Sequence, residues 1–437
     1  MKKSKKIVSL LLLLAVLCTS ILTGCAGTPA ETGSTQAVAE STPDSAASES
    51  TSDSAAAEST SDNEAESTNL MGEVLGDYVI ELPVITEIDY EAGLAKNKEM
   101  FGKFGCSAIG KVLDNGDMIV GRSMDLYYSN NPAYVIRTDV EGFYKTVGLA
   151  YNTFDGHTFE DVKENGVTQD ELLTLLFFSV DVMNEKGLYI EANMREKQPE
   201  ETGIVVSTGT NPGAEVSLTF PALVRYLGER CATVDEAVEL ANSLNVCGMS
   251  NGELNWGGGY FMADASGHYG VLELVDNKLV WTDGQNCQAN FYVNDEYKDR
   301  AIIGSGIGRY ALLESEIESV KSEDDMTALM KKVRYSQILD PYNCLFDPRS
   351  EYSGAGEQYE ALGGMLTIEM CQDDQYKDTI FEAMEAAGAK EREKSLQQLK
   401  DEGTQWLSVW QTTANCNKQS LKVIFFEDDA LTFDFTV

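Results

Sequence analysis

The sequence predicts an α+β layered architecture. Strand patterns come in meander-like runs, helix patterns are grouped between those runs, and the regular strand–helix alternation of parallel sheets is missing. A lead segment spans 70–105; in it residues 77–85 alternate like a strand and 90–103 read as a helix. A strand pattern from Cys106 ends at Asp114-Asn115-Gly116, a two-residue hairpin signal, and returns over 117–125. Thr168-Gln-Asp-Glu171 is a capping box before 172–178, and Thr233-Val-Asp-Glu236 opens a second helix through Leu244. Residues 177–182, 184–187 and 188–192 read as strand, turn and strand, and 218–227 as an amphipathic helix. Strands follow at 259–263, 270–274 and 278–282, helices at 325–333 and 376–400, and strands again around 421–426 and 430–435.

The first residues do not belong to that fold. Lys2, Lys3, Lys5 and Lys6 precede an apolar run from Ile7 to Leu22, which ends in Leu22-Thr23-Gly24-Cys25. A basic start, a short apolar stretch and small residues at the end describe an export signal over 1–24, and the run is shorter than the ~20 residues a spanning helix needs. The ending resembles a bacterial lipobox, in which the Cys25 thiol takes the lipid. From 25 to 69 the chain is almost wholly Ser, Thr, Ala, Glu, Asp, Gly and Pro, a composition too apolar-poor to offset ordering entropy, and it is expected to be a disordered tether. The expected location is the outer face of the cell membrane, held by lipid alone.

The net charge is −38, and losing the four signal lysines takes it to −42. Such a charge argues against nucleic acid and against electrostatic attachment to anionic lipid, and fits solubility outside the cell. Without Cys18 and Cys25, Cys106, Cys231, Cys247, Cys287, Cys344, Cys371 and Cys416 remain, an odd set that leaves at least one thiol free within a chain. No pair has C-x-x-C spacing, so no metal site is expected, and no cofactor. The fragment Gly304-Ser305-Gly306-Ile307-Gly308 lacks the preceding strand and the spacing of a dinucleotide loop. His157 and His268 are the only histidines, and neither accompanies a nucleophile motif.

The 106–125 hairpin gathers chemistry. Its two outer ends meet, which brings Cys106, Arg122 and Asp125 into one neighbourhood. Arg122 stays charged and can favour a thiolate. With no histidine at hand, the available base is the α-amine Cys106 would acquire if the Gly105–Cys106 bond were cut; an N-terminal amine beside its own nucleophile is a known activation mode. Asp125 could orient that ammonium. On the hairpin alone, a buried structural cysteine beside an ordinary ion pair accounts for the same residues, since free cysteines are usually structural.

The stretch Gly105-Cys106-Ser-Ala followed by Gly121-Arg122-Ser-Met-Asp125 resembles the start of the choloylglycine hydrolase family: bile salt hydrolases, penicillin V acylases and the ceramidase-like group. Met183-Asn-Glu-Lys-Gly-Leu188 resembles the family's N-E-[KH]-G-L turn, and 261–273 resembles its D-x-x-G…E hairpin. Ala289-Asn290-Phe291 resembles the motif whose Asn serves the oxyanion hole, and Gly304-Ser305…Arg309-Tyr310 the segment whose Arg lies close to the Cys. The resemblance, which runs from about 105 to the C-terminus, implies a four-layer αββα N-terminal nucleophile hydrolase sandwich with antiparallel sheets over 106–437. It also implies hydrolysis of a linear amide C–N bond in a small molecule after self-cleavage before Cys106. The long lead is like that of the ceramidase-like branch. The family's second oxyanion or pocket position falls on Met194; either a one-residue shift places Asn193 there, or the backbone and another donor serve. An N-acyl amino acid or N-acyl amide hydrolase and a non-catalytic solute-binding surface lipoprotein stand beside the bile salt and penicillin type. The oligomeric state is open.

Overall fold

The computed structural model describes residues 69–97, 105–127, 130–151, 157–198, 200–250, 255–298, 300–301, 304–334, 344–345 and 406–437. Chain contacts separate Met1–Ser67 from Thr68–Val437, and the described residues lie in the second unit. The signal, Cys25, the tether and the expected 376–400 helix lie outside the described residues.

Two sheets make the body. The larger has ten strands, with Tyr189–Glu196 and Asn255–Ala263 near its middle, and the smaller has six, with Gly105–Val112, Met118–Tyr127 and Trp406–Asn415 adjacent. Glycines show which way the small sheet faces. A Cβ on Gly110 would strike Phe261 of the larger sheet, and one on Gly121 would strike Met326 and Met330 of the Glu323–Lys332 helix. The large sheet carries Gln169–Phe177 and Phe220–Gly228 on its outer face, and the small sheet carries Ile307–Glu316 and Glu323–Lys332. The layers therefore run helix, sheet, sheet, helix, as the resemblance implies. Nearly every pairing in the two sheets is antiparallel; Val79–Glu81 runs parallel to Ala133–Thr138, and Ser217–Thr219 pairs parallel with Asn245–Cys247 in a small separate sheet.

The 106–125 hairpin forms with Cys106 opposite Met124 and Ala108 opposite Arg122, one residue off the register of the expected two-residue Asn115-Gly116 turn, because Leu113 pairs with Asp117 around a three-residue loop that ends on Gly116 at φ 90°. Both partners of the first capping box are present at Thr168 and Glu171. At the second, Thr233 accepts from the Glu236 N–H, but the Glu236 carboxylate accepts from Ala232, one residue earlier than a capping box requires. The strand expected over 177–182 begins only at Asp181, because the capped helix runs on through Phe177 and Phe178 still donates to Thr174. Of the strand expected over 77–85, Val79–Glu81 forms, with Ile85 making a separate bridge; ahead of it lies a strand the pattern did not give, Glu73–Gly76, which pairs back on it across a turn at Tyr78, whose φ is 63°.

The lead segment is woven into the large sheet. Val79 and Ile80 are buried, and Asn97 is fully enclosed. Its Oδ1 accepts from both the N–H and the hydroxyl of Thr219 at 2.7 Å, at the start of the Phe220–Gly228 helix. Asn97→Ala leaves those donors without their acceptor inside the core. It is expected to cost about 1–3 kcal/mol of unfolding free energy, measured by urea denaturation.

Candidate active site

Cys106 sits at the mouth of its strand, fully buried. Arg122 Nη2 lies 3.2 Å from its Sγ, and Met124 Sδ lies 3.7 Å from the same sulfur. Side chains alternate faces along a strand, so Cys106, Met124 and Arg122 share the face toward the large sheet, while Asp125 points to the helix side. The hairpin thus unites the thiol with Arg122 but does not put Asp125 beside the thiol. Asp125 Oδ1 accepts from the hydroxyls of Ser123 and Ser408, and its Oδ2 pairs with Arg309 at 2.7 Å. Arg309, on the Ile307–Glu316 helix, also donates to Ser107 at 2.8 Å and reaches Asn290 Oδ1 at 3.5 Å. Asn290 Oδ1 in turn accepts from the backbone N–H of Cys106 at 2.8 Å, and Asn290 Nδ2 donates to the Met194 carbonyl at 3.1 Å. Asp125, Arg309 and Asn290 thereby surround the Gly105–Cys106 bond, with Asp125 and Asn290 within 4 Å of where a Gly105 Cβ would stand.

Register sets which way Asn193 faces. Tyr189, Glu191, Asn193 and Arg195 pair with Ala263, Phe261, Gly259 and Gly257, and this row faces the small sheet. Asn193 therefore looks inward and Met194 lies on the helix side, offering the site only its carbonyl. The turn that sets this register is Asn184 to Leu188. The Asn184 side chain accepts from Lys186 and Leu188 and donates to Gly228 and Cys231. Gly187 has φ 81°, with the Cys416 carbonyl 2.2 Å from where a Cβ would be, so no side chain fits.

Sequence reasoning missed a buried charged layer behind the thiol. Arg122 Nε lies 3.0 Å from Asp181 and 3.5 Å from Glu191, which oppose each other across adjacent strands. Asp181 also receives Trp410 Nε1, Thr412 and Tyr189, and the Arg122 guanidinium lies over the Trp410 ring. Arg195 pairs with Glu273 at 3.0 Å and donates to the Ala289 carbonyl and, at 2.7 Å, to Gln288 Oε1; Gln288 Nε2 donates to Glu191. The alternating polar row 189, 191, 193, 195 was the available signal. Alternation alone reads the same whether the polar face meets water or a second sheet.

Burial drives the thiol of Cys106 far above its ordinary range; Arg122 opposes this, and Glu191, Asp125 and Asp181 reinforce it. Burial raises Asp125 against the pull of Arg309 and raises Asp181 against Arg122. Glu191 is pushed up to about 7 by burial, with Arg122 pulling down and Asp181 pushing up. With its backbone nitrogen in an amide bond and its thiol enclosed, Cys106 is held protonated. Cys106, Cys231, Cys247, Cys287 and Cys416 are free thiols. Among the described residues, no group of three or more His, Cys, Asp or Glu side chains is placed to hold a metal ion.

Fold and site together define a two-sheet α+β protein with an enclosed, strand-borne cysteine against an arginine. No family model matches the sequence, and no curated protein does. Among solved structures, a mutant of conjugated bile acid hydrolase from Clostridium perfringens is similar at 14% identity and a TM-score of 0.40, over 76% of this chain and 92% of that one. A second variant of that enzyme gives 14% and 0.39 over the same shares. Penicillin V acylase from Agrobacterium tumefaciens gives 13% and 0.34, over 74% and 83%.

Arg309→Met would leave the Asp125 carboxylate buried with two hydroxyls and no cation. It is expected to lose about 3–5 kcal/mol in urea unfolding at neutral pH. The gap from the unsubstituted protein should narrow as the pH falls and Asp125 takes up a proton.

Proposed function

We propose that this protein is a cysteine N-terminal nucleophile amidohydrolase: it cuts itself before Cys106 and then hydrolyses a linear amide C–N bond in a small molecule. One observation carries the reading. A thiol touched by a guanidinium at 3.2 Å has, on its own backbone nitrogen, a hydrogen bond to Asn290 at 2.8 Å.

In the first step Cys106 Sγ attacks the Gly105 carbonyl carbon and the C–N bond breaks. The acyl group moves to sulfur, and the released nitrogen takes the thiol proton. Water then cleaves the thioester, leaving a Gly105 carboxylate and a free α-amine on Cys106. In the second reaction that amine takes the thiol proton, and the thiolate attacks the substrate carbonyl. Asn290 and Asn193 donate to the developing oxyanion, a contribution of roughly 3 kcal/mol per donor in comparable sites. The ammonium protonates the leaving amine, and water releases the acid from sulfur. Arg122 supports the thiolate; Asp125 and Arg309 hold Asn290 and orient the amine. The substrate class is a bile acid conjugate, a penicillin side chain or an N-acyl amide. The place of Glu73–Gly76 and Val79–Glu81 in the large sheet favours the last as the second reading, since a long lead goes with the ceramidase-like branch.

Intact-mass measurement should find a break between Gly105 and Cys106, absent in Cys106→Ala. The cut protein should hydrolyse at least one of glycine- or taurine-conjugated bile acids, penicillin V and N-acyl amides, and Arg122→Met should lose at least about 100-fold in kcat. An uncut chain inert toward the whole panel sinks the proposal and leaves a binding lipoprotein. We also propose that Cys25 carries the lipid. Cys25→Ser should then release the protein from membranes in fractionation; unchanged membrane association rejects the anchor.

A further inference from the structure

Glu191 belongs to none of the motifs above, yet it touches three groups that matter to the thiol. Its Oε1 accepts from Gln288 Nε2, whose amide orientation is set because Arg195 Nη2 donates to Gln288 Oε1 at 2.7 Å. Its Oε2 faces Arg122 Nε at 3.5 Å and one amide atom of Asn193 at 2.8 Å. That Asn193 contact has two readings, and they differ by one proton. With Nδ2 toward Glu191, the amide donates to a carboxylate and also to the Ala192 carbonyl at 3.2 Å. With the amide reversed, Nδ2 turns to the Ala289 carbonyl at 3.5 Å, and Oδ1 meets Oε2. Two acceptors cannot sit so close without a hydrogen between them, and only Glu191 can supply it.

Charge counting points the same way. The groups facing Glu191 are Asp181 across the strand pair, Tyr189 and Arg195 on its own strand, Arg122 and Cys106 on the small sheet, and Cys287 beyond Gln288. Arg195 is engaged by Glu273. Arg122 is then the cation that faces both Asp181 and Glu191. An ammonium on Cys106 can accompany a thiolate, but Arg122 cannot neutralise two buried carboxylates and also support the sulfur, so an ionised Glu191 competes with the thiolate for Arg122.

We propose that Glu191 is a proton-holding positioning residue: protonated, it frees Arg122 for the thiolate and turns the Asn193 amide so that its NH2 faces the Asn290 segment; ionised, it claims both. The inference rests on the hydrolase reading for its consequence but not for its chemistry. Burial supports it, since it pushes the Glu191 carboxyl up to about 7. Activity should therefore fall as the pH rises through neutrality, because deprotonation loads Arg122 with a second carboxylate.

The test uses the full chain and Glu191→Gln, whose amide mimics the protonated acid in shape and can donate to Asn193. Infrared difference spectra across neutrality should show a protonated-carboxyl band that disappears as the pH rises, and Glu191→Gln should lack it. This readout does not depend on hydrolysis. In the pH profile of kcat/KM, the unsubstituted enzyme should lose roughly tenfold per pH unit above its alkaline pKa, and Glu191→Gln should lose that limb. A band that persists in Glu191→Gln overturns the proposal, as do superimposable pH profiles. The band behaving as expected in a chain inert to every amide upholds the proton on Glu191 and overturns the hydrolase reading instead.

Discussion

The structure depends on the placement of Arg122. Its guanidinium is fully enclosed between two sheets, where a charge is tolerated only among partners. Asp181 and Glu191 supply them from one sheet and the Cys106 sulfur lies against it from the other. Because Asp181 also collects Trp410, Thr412 and Tyr189, the same contact ties the large sheet to the Trp406–Asn415 strand of the small one. The pairing that locks the sheets together is therefore the one that conditions the thiol, and neither role can change without the other.

A second charged centre lies on the opposite face of the hairpin. Asp125 and Arg309 form it between the small sheet and its helices. The Cys106 backbone connects the two: its side chain looks to Arg122, its N–H to Asn290, and Asn290 to Arg309. Pleating makes this possible, because neighbouring residues of one strand serve opposite layers. The site is thus a strand end read from both sides, and its two halves meet at the bond before Cys106. Both halves are buried, which pushes the thiol up in the intact chain and raises Asp125, Asp181 and Glu191 above the usual carboxylate range.

Much of this was legible from sequence. The hairpin from Cys106 and the first capping box are local features that follow from a few adjacent residues, and both form; the Asn-Gly turn does not close in two residues, since Leu113 pairs with Asp117 around a three-residue loop ending on Gly116 at φ 90°. Motif order also named Cys106, Arg122, Asp125, Asn193, Asn290 and Arg309 as the candidate set. What failed were statements about extent and direction. The Gln169–Phe177 helix outruns the strand pattern that overlaps its end, because a helix once capped propagates until tertiary contacts stop it. Asp125 turned out to face away from the thiol because proximity along a hairpin ignores the alternation of faces.

By itself, the sequence determined the first capping box, the presence of the hairpin and the set of candidate side chains, since these depend on residues a few positions apart. Only the tertiary structure decided which residues stand between the sheets. Glu191, Asn193 and Arg195 form a polar row that would suit water equally well, and it became an interior layer because a second sheet covers it. Burial is a property of what packs on top, and no stretch of chain carries that information about itself.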